Sequence, residues 1–260
     1  NVGIDVAVEN PQVGLNLQDH PGLGMTYEVD IPTFNSEMSL WKQVVHGANW
    51  LLRGKGIATT PDAHVVGFIA SSPDETVPDI QVHMTPAGYL VAGEGELILK
   101  ENSITLLTSV CRPRSRGQIS LRSADPSDRP LIQNRLFDDE DYLVRLSRGV
   151  RAVRDIVGAK PLAGLVNRSI EPAWEKPSDE TVIDYLRSNA GTIYHPSGTC
   201  RMGPDDKSVV GPDLRVRGVA GLRVADASIM PTVTSGNLNA PCMIIGEKAS
   251  EMILATQMQS

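Results

Sequence analysis

The most informative segment of the sequence is Tyr194–Gly203, which reads Tyr-His-Pro-Ser-Gly-Thr-Cys-Arg-Met-Gly. It lies in a region between Gly191 and Pro241 that is dense in glycine, proline and asparagine, and such loop-rich regions often hold functional sites. Its His195 can take up or return a proton near neutral pH, because an unperturbed imidazole titrates near ~6.5. Taken alone, His195 is more simply explained as a buried histidine that bonds a backbone carbonyl. Its role therefore depends on the surrounding sequence.

Three other segments support a specific interpretation of this stretch. They are Pro11–Pro21 (Pro-Gln-Val-Gly-Leu-Asn-Leu-Gln-Asp-His-Pro), Gly221–Pro231 (Gly-Leu-Arg-Val-Ala-Asp-Ala-Ser-Ile-Met-Pro) and Gly236–Pro241 (Gly-Asn-Leu-Asn-Ala-Pro). Together with Tyr194–Gly203 they resemble, in the same order, segments of the C-terminal half of glucose-methanol-choline (GMC) oxidoreductases, a family that includes choline and alcohol dehydrogenases. Four ordered matches are far more specific than one His-Pro pair. The resemblance therefore implies an FAD-dependent oxidoreductase.

The resemblance also implies a reaction and a set of site residues. An alcohol is oxidised to an aldehyde or ketone by hydride transfer to flavin N5, and oxygen or another acceptor then reoxidises the flavin. His195 acts as the base, and Asn237 orients the substrate oxygen. The residues that the resemblance places at the FAD cofactor are Tyr194, Asp226, Ala227, Asn239 and Pro241.

The chemistry of these residue types agrees with those roles. A positioned base typically accelerates a reaction by ~10²–10⁴-fold. The amide of Asn237 can donate and accept hydrogen bonds without titrating, although it could instead serve the geometry of a turn. Pro241 suits the first turn of a closing helix, whose N-terminal amides would favour the negative charge of a reduced flavin. Asp226 could alternatively be a carboxylate that caps its own loop.

One feature of the family is missing from these residues. No Gly-x-Gly-x-x-Gly followed about 20 residues later by an acidic residue occurs here, so the loop that binds the phosphates of a dinucleotide is absent. We therefore expect a fragment, or one chain of a two-chain assembly, whose partner is the N-terminal half of the enzyme.

The pattern of apolar residues predicts an α/β chain. Helices are expected at 41–52, from a cap at Asp138 or Asp139 through Val157, at 179–190 and from Pro241 to about Leu254. Strands are expected at 65–70, 79–84, 104–111 and 118–122, as an antiparallel sheet in the middle of the chain, and a separate short strand is expected at 222–225. We assign residues 28–190 to a substrate-binding domain, and 1–27 and 191–260 to the C-terminal part of a Rossmann-like FAD-binding domain.

Composition excludes several classes of function. The net charge of -7 disfavours nucleic acid as a partner, and no apolar run approaches the ~20 residues of a membrane span. The spacing of histidine, cysteine and acidic residues predicts no metal site. The first residues show no signal-peptide pattern, which favours the cytoplasm.

Two alternatives to alcohol oxidation remain open. Some relatives of this kind cleave cyanohydrins as hydroxynitrile lyases, with the same active-site histidine and without a redox step. The chain could also fold as a cofactor-free module that is inactive without its N-terminal half. Nothing in residues 25–61 dictates which alcohol would bind.

Overall fold

The structure is a computed structural model that describes residues 2–92 and 95–257. The described strands are β1 (Leu15–Leu17), β2 (Pro21–Val29), β3 (Val65–Ile69), β4 (Ile80–Thr85), β5 (Tyr89–Ala92), β6 (Gly95–Ile98), β7 (Ser103–Val110), β8 (Gly117–Ser120), β9 (Leu131–Gln133), β10 (Val166–Glu171) and β11 (Gly191–Thr192). The α-helices are α1 (Leu40–Arg53), α2 (Glu140–Gly158), α3 (Asp179–Asn189) and α4 (Asn239–Gln257). The predicted mixed α/β class with antiparallel strands is confirmed.

The chain divides into two compact units that interleave along the sequence. The first unit contains the described residues up to Pro21, Cys111–Tyr142 and the described residues from Gly191 onward. The second contains Gly22–Val110 and Leu143–Ala190. The assignment of residues 1–27 and 191–260 to FAD binding, and of 28–190 to substrate binding, stays a prediction.

The second unit is built on an antiparallel sheet with the strand order β10-β2-β7-β4-β3. In its centre Met25 of β2 lies opposite Leu106 of β7, and both side chains are buried. Helix α2 packs closely on this sheet at Gly149, where an added Cβ would lie 2.5 Å from Thr108 Oγ1. The apolar stripe expected on α2 from its residue spacing is largely buried: Leu143, Leu146, Val150, Val153 and Val157 are buried, whereas Ile156 is exposed.

Most regular elements agree with the sequence prediction. Helix α1 ends at Gly54, which adopts the left-handed conformation (φ 62°) and so closes the last turn as glycine commonly does. Helix α3 begins where expected, because the side chain of Ser178 accepts a hydrogen bond from the Thr181 amide and caps the first turn. The predicted strands at 65–70, 79–84, 104–111 and 118–122 correspond to β3, β4, β7 and β8.

The first unit consists largely of loops around a small core. Strand β8 pairs with β1 and β9, and a separate cluster brings the chain from Cys200 to Val216 against helix α4. The buried members of that cluster are Val209, Val210, Leu214, Ile229 and Ala249. This packing holds the end of the Tyr194–Gly203 stretch, through Cys200 and Met202, and the residues that follow it.

Two details of the prediction for the first unit are wrong. Residues 222–225 do not form a strand, since Arg223 makes only an isolated bridge with Arg215. The backbone near this segment contains turns instead, because Leu214 has φ 66° and Gly218 and Gly221 each have φ 76°. Helix α4 begins at Asn239 rather than at Pro241, and the proline is tolerated there because the first amides of a helix have no intrahelical partner.

Candidate active site

The Tyr194–Gly203 loop is held by an extended segment near the start of the chain. The amide of Gln18 donates to the Ser197 carbonyl (3.0 Å), and the Ser197 amide donates back to the Gln18 carbonyl (2.9 Å). On either side, the Gly14 amide donates to the Thr199 carbonyl and the Ile193 amide donates to the His20 carbonyl. This short ladder places His20 beside His195.

A buried carboxylate fixes both of these histidines. Asp19 Oδ1 accepts hydrogen bonds from the backbone amides of His20 (2.8 Å) and His195 (2.9 Å). Burial raises the pKa of Asp19, and the hydrogen bonds from His195, His20 and Thr192 partly oppose that rise. Asp19 thus sets the spacing between two backbone segments that are far apart in sequence.

The two imidazole rings are in direct contact. His20 Nδ1 lies 2.9 Å from His195 Nδ1, and the rings meet edge to face with centroids 5.1 Å apart. The other nitrogen of His20, Nε2, lies 2.8 Å from the carbonyl oxygen of Thr234. Burial lowers the pKa of His20, and its backbone hydrogen bonds to Thr234 and Cys111 oppose this effect. The lowered pKa favours the neutral form of the His20 imidazole.

These contacts determine which nitrogen of each ring holds the proton. A carbonyl oxygen can only accept, so His20 donates through Nε2–H to Thr234. In a neutral imidazole the second nitrogen is then an acceptor, and His20 Nδ1 must accept from Nδ1–H of His195. In its own neutral form His195 consequently presents an Nε2 lone pair, on the side away from His20.

Asn237 lies on that side of His195. Its Nδ2 is 3.4 Å from His195 Nε2, and Asn237 is exposed in the loop that precedes helix α4. The structure therefore brings together the two predicted catalytic residues. An imidazole nitrogen that can accept a proton and an amide that can donate or accept a hydrogen bond face the same space.

The predicted cofactor-binding residues lie in the same unit as this pair. Tyr194 adopts φ 63° and leaves 76% of its surface exposed. The carbonyl of Ala227 accepts from the Gly198 amide (3.2 Å), which joins that residue to the histidine loop. Asp226 caps a short turn through its bond to the Ser228 amide (2.7 Å), and Asn239 and Pro241 form the first turn of α4. Their contact with a cofactor stays a prediction.

Three contributors to the site were not singled out from the sequence. Asp19 and His20 belong to the Pro11–Pro21 segment, so the signal was present, but the wide separation from His195 in sequence concealed their contact. The Thr234 carbonyl carries no side-chain signal at all. Among the described residues, no group of three or more histidine, cysteine or acidic side chains could hold a metal ion.

Comparison with known proteins supplies an independent line of evidence. A family model described as GMC oxidoreductase matches residues 113–246. The chain is 36% identical over 255 residues to the oxygen-dependent choline dehydrogenase of Brucella canis, covering 97% of this chain and 46% of that protein. It is 38% identical over 254 residues to the alcohol dehydrogenase [acceptor] of Pseudomonas putida, with the same coverage of each. The chain thus spans about half the length of the curated relatives it matches.

Solved structures show the same fold. Pyridoxine 4-oxidase from Mesorbium loti matches with a TM-score of 0.75 and 25% identity, over 96% of this chain and 45% of that one. A formate oxidase from Aspergillus oryzae RIB40 matches with a TM-score of 0.86 and 23% identity, over 99% of this chain and 50% of that one.

Proposed function

The chain belongs to the GMC oxidoreductase family, and from that membership we propose that the whole protein is an FAD-dependent enzyme that oxidises an alcohol to an aldehyde or ketone. The names of its relatives, choline dehydrogenase and alcohol dehydrogenase, support this class of reaction. The observation that carries the proposal is the placement of His195 Nε2 and Asn237 Nδ2 3.4 Å apart at an exposed edge of the first unit.

His195 is the base in this proposal. A substrate hydroxyl beside Nε2 would donate its proton to the lone pair there, and the resulting imidazolium would keep its Nδ1–H bond to His20. Because His20 is neutral and accepts that bond, it favours a positive charge on His195. Asn237 would donate to the substrate oxygen and stabilise its developing negative charge. Asp19 and His20 are positioning residues, since they act through His195.

FAD, when bound, supplies the acceptor for the hydride at flavin N5. The residues present fit such a group: Ser197 Oγ is buried without a hydrogen-bond partner among the described residues, and the first turn of α4 contains no acidic side chain. The amides of that turn favour an anionic ligand. We propose that Tyr194, Asp226, Ala227, Asn239 and Pro241 contact the cofactor.

Other parts of the enzyme are required as partners. The loop that binds the dinucleotide phosphates is absent from these 260 residues, and we propose that the N-terminal half of the enzyme supplies it. The final electron acceptor is oxygen or another oxidant. The substrate is a small-molecule alcohol.

The test is anaerobic flavin reduction in the full-length holoenzyme. Choline and a series of primary and secondary alcohols are mixed with the enzyme, and the absorbance of oxidised flavin is followed. At least one alcohol is expected to bleach the flavin and yield the aldehyde or ketone. Cyanohydrin cleavage without bleaching would instead establish a hydroxynitrile lyase, and failure of every alcohol would contradict the proposal.

A paired variant tests the role of Asn237. Asn237→Asp places a carboxylate where the proposal requires a hydrogen-bond donor to a developing alkoxide, so flavin reduction is expected to slow by roughly 10²-fold while the flavin spectrum and melting temperature stay unchanged. Asn189→Asp, at an exposed position of α3, is the control. Unchanged reduction by the Asn237 variant would remove this residue from the mechanism.

A further inference from the structure

Helix α1 of the second unit has its apolar face directed outward. Six large apolar side chains fall within an arc of about 140° around the helix, and all six are exposed. They are Leu40 (79%), Trp41 (74%), Val44 (56%), Val45 (46%), Leu51 (75%) and Leu52 (84%). No residue of the helix is buried.

The polar side of α1 is held by contacts with the residues that flank the helix. Half-buried His46 bonds to Glu37 through Nε2 (3.0 Å), Lys42 Nζ bonds to the same carboxylate (2.9 Å), and Asn49 donates to the Lys55 carbonyl (2.9 Å). An amphipathic helix on a protein surface normally buries its apolar stripe. This helix is thus anchored by polar contacts and presents the opposite side to its surroundings.

The charged residues of α1 itself are basic. Lys42 and Arg53 lie in the helix and Lys55 follows it, whereas the nearest acids are Glu37, which bonds to Lys42, and Asp62. Apolar side chains that include tryptophan on one face, with basic residues and no acid on the other, are the features of a helix that lies in a membrane interface. Basic residues near a bilayer are attracted by anionic headgroups.

We propose that α1 is a monotopic membrane-docking element that inserts the side chains of Leu40, Trp41, Val44, Val45, Leu51 and Leu52 into the surface of an anionic lipid bilayer. Such docking requires no membrane span, and among the described residues no helix is long and apolar enough to cross a bilayer. Exposure of this much contiguous apolar surface marks an interaction site. The basic residues select a bilayer over an uncharged apolar partner.

The test is co-sedimentation of the full-length holoenzyme with vesicles of phosphatidylcholine alone or mixed with phosphatidylglycerol. The protein is expected to sediment with the anionic vesicles. Leu51→Ser/Leu52→Ser should lower binding by about tenfold or more, and Arg53→Gln/Lys55→Gln should lower it by about tenfold at low salt. The control is Leu121→Ser/Ile132→Ser, which removes two apolar side chains that are also exposed (62% and 63%) but lie in the other unit; it should bind as the parent does.

Three results would overturn the proposal. The protein could remain in the supernatant with both kinds of vesicle, or sediment equally well after the α1 substitutions. The Leu51→Ser/Leu52→Ser variant could also lower the melting temperature of the full-length protein or change its oligomeric state. In that case the face is covered by another part of the protein or by a second copy of the chain.

Discussion

At the scale of single residues, the contact between His195 and its neighbours makes the role of this histidine testable. In the full-length enzyme, His195→Ala is expected to slow anaerobic flavin reduction by roughly 10²-fold or more while FAD content stays the same. The difference in rate between the variant and the parent should shrink as pH rises, because the alcohol then loses its proton more readily without a base. Stopped-flow absorbance measures the rate, and protein-bound absorbance measures the flavin.

A matched histidine variant separates catalysis from folding. His46→Ala removes an imidazole that bonds to Glu37 on α1, and it should leave the rate of flavin reduction unchanged. If His195 were only a structural residue, His195→Ala would lose flavin and thermal stability together, and its residual activity would follow the amount of residual holoenzyme.

The buried neighbour His20 is expected to make the stability of the protein depend on pH. Burial lowers the pKa of His20, so between this lowered value and its ordinary value of ~6.5 the unfolded chain binds a proton that the folded chain does not. The free energy of unfolding should therefore fall as pH drops through that window. His20→Gln removes the titration, and its melting temperature should decline less than the parent's between pH 7 and the acid side of the window.

Asp19 acts in the opposite direction and must be distinguished from His20. Its pKa is raised by burial, so protonation of Asp19 stabilises the fold as pH falls through the range between its ordinary and its raised value. Melting curves in small pH steps, compared between parent and His20→Gln, isolate the histidine because Asp19 is common to both. Parallel pH dependence of the two proteins would contradict the assignment.

The residues of the site were predictable to different degrees. His195 and Asn237 were proposed from the resemblance, and they do lie next to each other. The bond between His20 and His195 was not predictable from spacing, because it depends on a pairing between segments at opposite ends of the chain. The tautomers depend on the Thr234 carbonyl, a backbone group for which no residue type is diagnostic.

At the scale of elements, the approach of helix α2 to the sheet of the second unit depends on one glycine. A Cβ at Gly149 would lie 2.5 Å from Thr108 Oγ1 and 3.2 Å from Ile80 Cγ2, two buried and stiff β-branched side chains. Gly149→Ala should lower the free energy of unfolding by about 1–3 kcal/mol. Gly158→Ala, in the same helix with no atom within 4 Å of its Cβ, should be neutral or stabilising. Denaturant-induced unfolding of both variants measures the change in the free energy of unfolding. Equal changes in the two variants would contradict the close contact at Gly149.

Helices with a clear apolar period and a recognisable start or stop residue were predicted, whereas strand β2, which has neither signal, was missed. Helices α1 and α3 follow from an apolar period with a clear stop at Gly54 or start at Ser178. The central strand β2 was missed because Pro21, Gly22 and Gly24 are ordinarily strand breakers. It forms because β7 pairs with it along its length, from Gly22 opposite Ser109 to Glu28 opposite Ser103.

At the scale of the whole molecule, the interleaving of the two units could not be predicted from local sequence. Residues 111–142 return to the first unit between two stretches that belong to the second. The chain changes unit at residues 110–111 and 142–143, and no glycine-rich or proline-rich linker marks either position. Both positions lie within or next to a regular element. Strand β7 ends at Val110, and helix α2 contains the crossing at Tyr142.

Retention of FAD by these 260 residues alone depends on contacts across the whole molecule. We expect these residues not to hold FAD, because the phosphate-binding loop and the acidic residue that binds ribose are absent from this sequence. The side of α4 that carries Met243 and Ile244 is also open, with both side chains 62% exposed. Mixing with the separately produced N-terminal half should restore a yellow, flavin-containing complex with a higher melting temperature, because a ligand or partner that binds only the folded state stabilises it. Absorbance of the gel-filtered protein, with and without that half, measures the outcome. A preparation of the 260 residues alone that contained stoichiometric FAD would show that the remaining contacts, at Tyr194, Asp226 and the start of α4, are sufficient for binding.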